Sequence, residues 1–320
     1  MSSTSEWRFR IIAMLDSVAS AASAWERARQ NGTSADSGEG EPPRQPVGEE
    51  GPVGCNAPSS IGIRQRTAML WTLLRRTEWR PFLALLSPSL LRVVPPGPLL
   101  AELRRLGSLS RSPAALARAV AGRRASIAAA GLPIRIGAPA GAVARAAPAD
   151  PTARGQRVLE LYFHQLFADA DGSTLLDLRY ARFADEGAAL AWSPSGLLAD
   201  LGDAFLRAVR ALYRGFYRGD DALFREGLAA LGLTEAEAAI RSQFGEGQQR
   251  AVAFSLRDFQ QKSLEVLLRC QATGSRIDPG FLPLGLLLAT LYEHLEALGV
   301  PFDVRAAYHA ADPCPSSRSG

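Results

Sequence analysis

The chain has 320 residues, of which 47% are hydrophobic and 21% charged, the balance of an ordinary globular protein with ample side chain for a core. Its cations are almost all arginine: Lys262 is the only lysine, and residues 1–150 carry 19 basic and 11 acidic residues against 17 and 21 in residues 151–320. Cys55, Cys270 and Cys314 have no C-x-x-C spacing, and neither they nor His164, His294 and His309 form a metal-ligand pattern, so a disulfide framework and a zinc site are disfavoured and a reducing, cytoplasmic setting is expected.

At the N-terminus, Arg8 and Arg10 precede "IIAML", an apolar run too short for a signal sequence, and residues 1–30 read as one helix. Residues 31–60 are rich in Gly, Pro, Ser and Glu and have almost nothing to bury, so they read as a disordered linker. Residues 61–150 form an Arg-rich region of short amphipathic helices. Between 64 and 124 there are twelve arginines and two acids, with breaks at Pro81, Pro88 and Pro95-Pro96. Ser112-Pro113 opens a clearer helix that Gly131 stops.

From 151 to 312 the signals predict a helical domain with a β-hairpin, followed by a disordered tail over 313–320. A helix near 155–168 leads into a strand at 174–183, whose partner, 188–192, returns after the turn at Asp185-Glu186-Gly187. Asp203 starts a helix closed by Gly219, and Asp220 or Asp221 starts one closed by Gly232. Thr234 and Glu237 form a capping box. Ser255 opens a helix ended by Gly274, and Asp278-Pro279 opens another ended by Gly299. The apolar run "FLPLGLLLATL" is about half of the roughly 20 residues that cross a membrane, and reads as a core helix. The expected fold class is therefore mainly α with a small β-hairpin element (α+β): a helical C-terminal body behind a disordered N-terminal linker.

Several residues are candidates for chemistry. On the strand, Asp177 and Arg179 share a face and can form an i, i+2 ion pair, partly exposed beside the hairpin. His164 stands four residues after Glu160, where it can pair with it or act as a base. Arg207, Arg210, Arg214 and Arg218 make a helical stripe beside Tyr213 and Tyr217, suited to phosphates or an acidic partner. Trp71, Arg75, Arg76, Trp79 and Arg80 suit the headgroup level of an anionic membrane. The same region could touch nucleic acid, although no nucleic-acid-binding motif accompanies it. The ordinary readings of these features are a salt bridge, a packed histidine, a solvated face and arginines paired within the fold.

"ADGSTLLDLRYARF" resembles the D-G-x-x-x-L-L-D-F-G segment of the UbiB/AarF-type atypical kinases, and over residues 155–310 the helical tail is similar to the C-terminal part of that family. The resemblance implies a metal-binding role for Asp177, or for Asp200 in the second "DLG", and a Mg-nucleotide cofactor if the chain is an enzyme. Two departures oppose catalysis. The H-x-D-x-H-P-G-N loop is missing before Asp177, and Arg179 stands at the glycine of D-F-G. Lys262, mid-helix near the C-terminus, is out of place for phosphate chemistry. A faint glycine-rich echo, "IGAPAGAVARAA", follows the short strand "PIRI".

The leading expectation is a noncatalytic partner-binding or scaffold module, kinase-related and peripheral to a membrane, with a protein partner and neither cofactor nor metal. A diverged phosphotransferase-class enzyme is the alternative, and a nucleic-acid-binding accessory protein the second.

Overall fold

A computed structural model describes residues 94, 96–137, 148, 150–168, 173–244 and 251–312. All of them lie in one compact unit, Phe82–Gly320. The expected helix in 1–30, the linker 31–60, the segment 64–93, most of the glycine-rich stretch and the tail 313–320 lie outside the described residues.

The architecture is mainly α with small sheets. Helix α1 (Pro96–Leu109) packs on strand β5 (Leu198–Asp200), and α2 (Pro113–Ala129) packs on β1 (Ile134–Ile136) and β2 (Ser173–Leu175). The Arg-rich residues 96–136 thus belong to the same unit as residues 151–312, and the expected boundary at 150 does not separate them. Ser112 caps α2 by accepting from Ala115 N at 3.2 Å, with Pro113 at the first helical position, where a proline loses no hydrogen bond.

Two small sheets follow. In one, β1 runs parallel to β4 (Ala189–Trp192), and β4 pairs antiparallel with β3 (Phe183–Glu186), placing Phe183 opposite Trp192. Gly187, at φ +62°, makes the tight turn between β3 and β4. In the other sheet β2 pairs antiparallel with β5, placing Ser173 opposite Asp200.

The expected strand 174–183 is therefore two strands in two sheets, split at residues 176–182 by a 3-10 turn, Tyr180–Arg182. The hairpin is shorter than expected, covering 183–192. Leu175, Leu176, Asp177 and Leu178 are all fully buried, so there is no solvent face for a two-residue alternation to mark.

The central helix is α3 (Pro151–Phe167), capped by Asp150 and buried along most of its length. Around it lie α4 (Asp203–Arg218), α5 (Asp221–Ala230), α6 (Glu237–Phe244), α7 (Leu256–Thr273), α8 (Phe281–Leu298) and α9 (Val304–Ala311). Ser255 and Gly274 bound α7 as its cap and left-handed stop, and Gly299 ends α8. Thr234 does not cap a helix. It begins a 3-10 turn, Thr234–Ala236, without a side-chain capping bond, so the expected capping box does not form.

By length and composition α8 could cross a membrane, but Leu287, Leu291 and Leu295 are buried and the helix packs on α3 and α7. It is a core helix.

Helices α4 and α5 fold back on each other at Gly219, left-handed at φ +73°. Their backbones touch where Gly215 and Gly227 face the partner helix: a Cβ would lie 2.3 Å from Phe224 N and 2.6 Å from Leu212 N respectively. Gly227→Ala gains up to about 1 kcal/mol of helix propensity, but overpacking against backbone costs about 1–3 kcal/mol. The overlap wins, because backbone cannot swing aside as a side chain can. A net loss of stability in urea denaturation is the expected outcome, and a gain would show that the helix pair can separate.

Candidate functional site

Residues 176–183, which hold the candidates Asp177 and Arg179, form a closed polar knot. Asp177 is fully buried. Arg179 donates to both of its oxygens, Nε to Oδ1 at 2.7 Å and Nη2 to Oδ2 at 2.6 Å, and Arg182 Nε donates to Oδ2 at 2.9 Å. Burial pushes the carboxyl up, but the hydrogen bonds and charge of Arg179, joined by Arg182, outweigh it and hold the group below the ordinary aspartate value. The expected Asp177–Arg179 pair forms, with two corrections. It is buried rather than partly exposed, and Arg182 is a third member that the strand alternation concealed.

The backbone of this segment is satisfied from two helices. On α8, Thr290 Oγ1 lies 2.8 Å from Leu176 O and accepts from Leu178 N, while Glu293 Oε2 accepts from Tyr180 N at 2.9 Å. His294 Nδ1 meets Leu178 O at 2.9 Å. A carbonyl only accepts, so Nδ1 carries the proton and Nε2 accepts from Arg154 Nε at 3.3 Å. Burial, then the Arg154 charge, pushes His294 down to about 3. From α3, Arg154 Nη2 donates to Tyr180 O and Phe183 O, both at 3.1 Å, with its guanidinium 4.2 Å from the Tyr180 ring centre. Trp192 Nε1 donates to Asp177 O at 3.0 Å.

His164 belongs elsewhere. Its Nε2 lies 2.8 Å from Ser126 Oγ, across the α2–α3 contact, rather than toward Glu160. Burial and the neighbouring Arg123 push it down to about 4, so it is neutral near pH 7. Asp200 accepts from Gly202 N with Oδ1 and meets Arg105 of α1 with Oδ2.

Three members of the arginine stripe turn inward. Arg210 donates to Leu166 O at 2.6 Å and Ala168 O at 3.1 Å, closing the C-terminal end of α3. Arg214 and Arg218 converge on Asp312, which Tyr308 also reaches at 2.8 Å. Arg207 is exposed. The stripe thus fastens α4 to the C-terminal ends of α3 and α9, while Arg207 and Arg218 keep an exposed surface. Lys262 donates to Ser242 O at 2.8 Å. Trp71, Arg75, Arg76, Trp79 and Arg80 lie outside the described residues. Among the described residues no group of three His, Cys, Asp or Glu is placed to hold a metal.

Sequence reasoning missed the concave feature. A cavity of about 220 Å³ lies among α3, α4, α6, α7, α8 and α9, and no charged residue lines it among the described residues. Its inner wall includes Tyr162, Phe163 and Tyr213. Its outer wall includes Phe254, Leu267 and Tyr292, which are part-exposed and give an approach from solvent. Gly285, mid-helix in α8, also lines it, and a Cβ there would meet nothing within 4 Å. The sequence carries traces in Tyr213 and Tyr217 and in the glycine of "PLGLLL", but both also read as ordinary core.

No protein-family model matches the chain, and no curated protein matches it.

Proposed function

We propose that this chain is a noncatalytic binding module whose occupant is a mostly apolar small molecule held in the helical cavity. The observation that carries this reading is Gly285. A mid-helix glycine costs about 1 kcal/mol relative to alanine. Gly215 and Gly227 offset that cost by allowing close backbone contact, whereas Gly285 has no neighbour within 4 Å of where a Cβ would stand. What its missing side chain leaves is room in the cavity. A cavity of about 220 Å³ whose described walls carry no charge exceeds the roughly 150 Å³ that suffices in another protein for benzene to bind. Aromatic walls with a few hydroxyls are the usual chemistry of small-molecule sites.

Kinase-related ancestry, a cytoplasmic setting and contact with an anionic membrane through Trp71, Arg75, Arg76, Trp79 and Arg80 are part of the same proposal. They rest on the resemblance and on sequence chemistry. The phosphotransferase alternative has less support, because both oxygens of Asp177 are engaged by guanidinium groups and a metal would have to displace them.

The test is titration with the neutral fluorescent probe N-phenyl-1-naphthylamine. Saturable binding to the full chain is expected. Gly285→Leu should weaken it about tenfold or more by filling the cavity, without lowering the melting temperature. Equal binding by the variant and the parent would place the probe elsewhere and sink the proposal.

A further inference from the structure

Tyr162 and Tyr213 meet in the inner wall of the cavity with their hydroxyl oxygens 2.5 Å apart. Both side chains are buried, at 2% and 7% exposure. Two hydroxyls bring two protons, and the bond between them uses one. Whichever tyrosine donates, the other holds an O–H with no acceptor among the described residues, and both residues line the apolar space. A buried donor without an acceptor is costly, and the usual resolution is a partner supplied from outside the fold. Burial pushes both phenols well above their ordinary value, so each remains a proton donor throughout the neutral range.

The walls restrict that partner further. Among the described residues no Lys, Arg or His lines the cavity. A carboxylate or phosphate would meet no counter-charge from these walls and would lose its hydration. A pure hydrocarbon would fill the space and leave the hydroxyl unmet.

We infer that the ligand is a neutral molecule with an apolar body and one carbonyl-type acceptor, a ketone, aldehyde or ester, whose oxygen takes the spare proton of the Tyr162–Tyr213 pair. This rests on the cavity being the binding site. The tyrosines act as one donor unit: the first hydroxyl orients the second, and the second meets the ligand.

The experiment compares two molecules of nearly equal shape, 4-phenyl-2-butanone and butylbenzene, by calorimetric titration of the full chain. Each single variant, Tyr162→Phe or Tyr213→Phe, retains one hydroxyl and should still favour the ketone. Only the double variant lacks the donor, and there ketone affinity should fall about three- to tenfold relative to butylbenzene, the worth of one hydrogen bond. The carbonyl stretch of the ketone bound to the parent protein should lie below its frequency in hydrocarbon solvent, a measurement that needs no variant to fold. An unshifted stretch, or a double variant that retains the preference because Tyr292 or Ser263 supplies the donor, overturns the inference and leaves the binding proposal standing. If neither molecule binds the parent protein, the cavity reading itself fails and the inference with it.

Discussion

Asp177→Asn should lower the unfolding free energy by about 3–5 kcal/mol, the cost of breaking a buried ion pair by neutralising one partner. Arg179 and Arg182 are 5% and 4% exposed, and both donate to this carboxylate. An amide in its place keeps one acceptor oxygen but turns an NH₂ toward a guanidinium, so repulsion replaces attraction. Urea denaturation of the parent, Asp177→Asn, Arg179→Met and the double variant closes a double-mutant cycle and gives the coupling of the pair directly. A loss of less than about 1 kcal/mol in Asp177→Asn, the range of solvent-exposed pairs, would mean that water reaches the knot. Asp177 would then be available for chemistry after all.

Stability should begin to fall near pH 6, well above the range in which exposed carboxylates titrate. His164 and His294 have folded-state values of about 4 and about 3, below the 6.5 of an unperturbed imidazole. Between those values and 6.5 the unfolded chain binds more protons than the folded one, so stability rises with pH across the window and is fully present above it. As pH falls from 6.5, each histidine removes up to about 1.4 kcal/mol per pH unit, until His164 titrates near 4 and His294 near 3. Asp177 acts in the same direction at lower pH. Its folded value is below that of an ordinary aspartate, so its contribution is present above the unfolded value and is lost in stronger acid.

Denaturation curves at pH 7, 6, 5 and 4 should therefore show a steep loss over the last two steps. His294→Asn retains a donor for Leu178 O but cannot titrate, and it should reduce the slope by one proton. Equal stability at pH 7 and 5 would show that both imidazoles are protonated without penalty.

The knot and the cavity meet on α8, which presents different faces to them. Thr290, Glu293 and His294 hold the 176–183 segment, while Gly285, Leu288 and Tyr292 look into the cavity. The polar network thus fixes one face of the helix whose other face forms the binding wall. Rigid support of this kind reduces the ordering cost of taking up a ligand.

The helices were largely legible in the amino-acid sequence by itself. Ser112, Asp220, Ser255, Gly219, Gly274 and Gly299 bound their helices where local rules place them, because a cap or a left-handed stop is decided by atoms within about four residues. The ion pair of Asp177 with Arg179 was legible for the same reason, being two residues long. Its burial was not, since that depends on α3 and α8 closing over it.

Tertiary structure alone decided that β2 pairs with β5 rather than within one hairpin. It also decided that Arg214 and Arg218 find Asp312 at separations of 98 and 94 residues, and that α3, α4, α7 and α8 leave a space between them. A stripe of arginines or aromatics on one helix has the same spacing whether it faces water, a ligand or an acid from the other end of the chain. Which of these it meets is settled only when helices distant in sequence pack together.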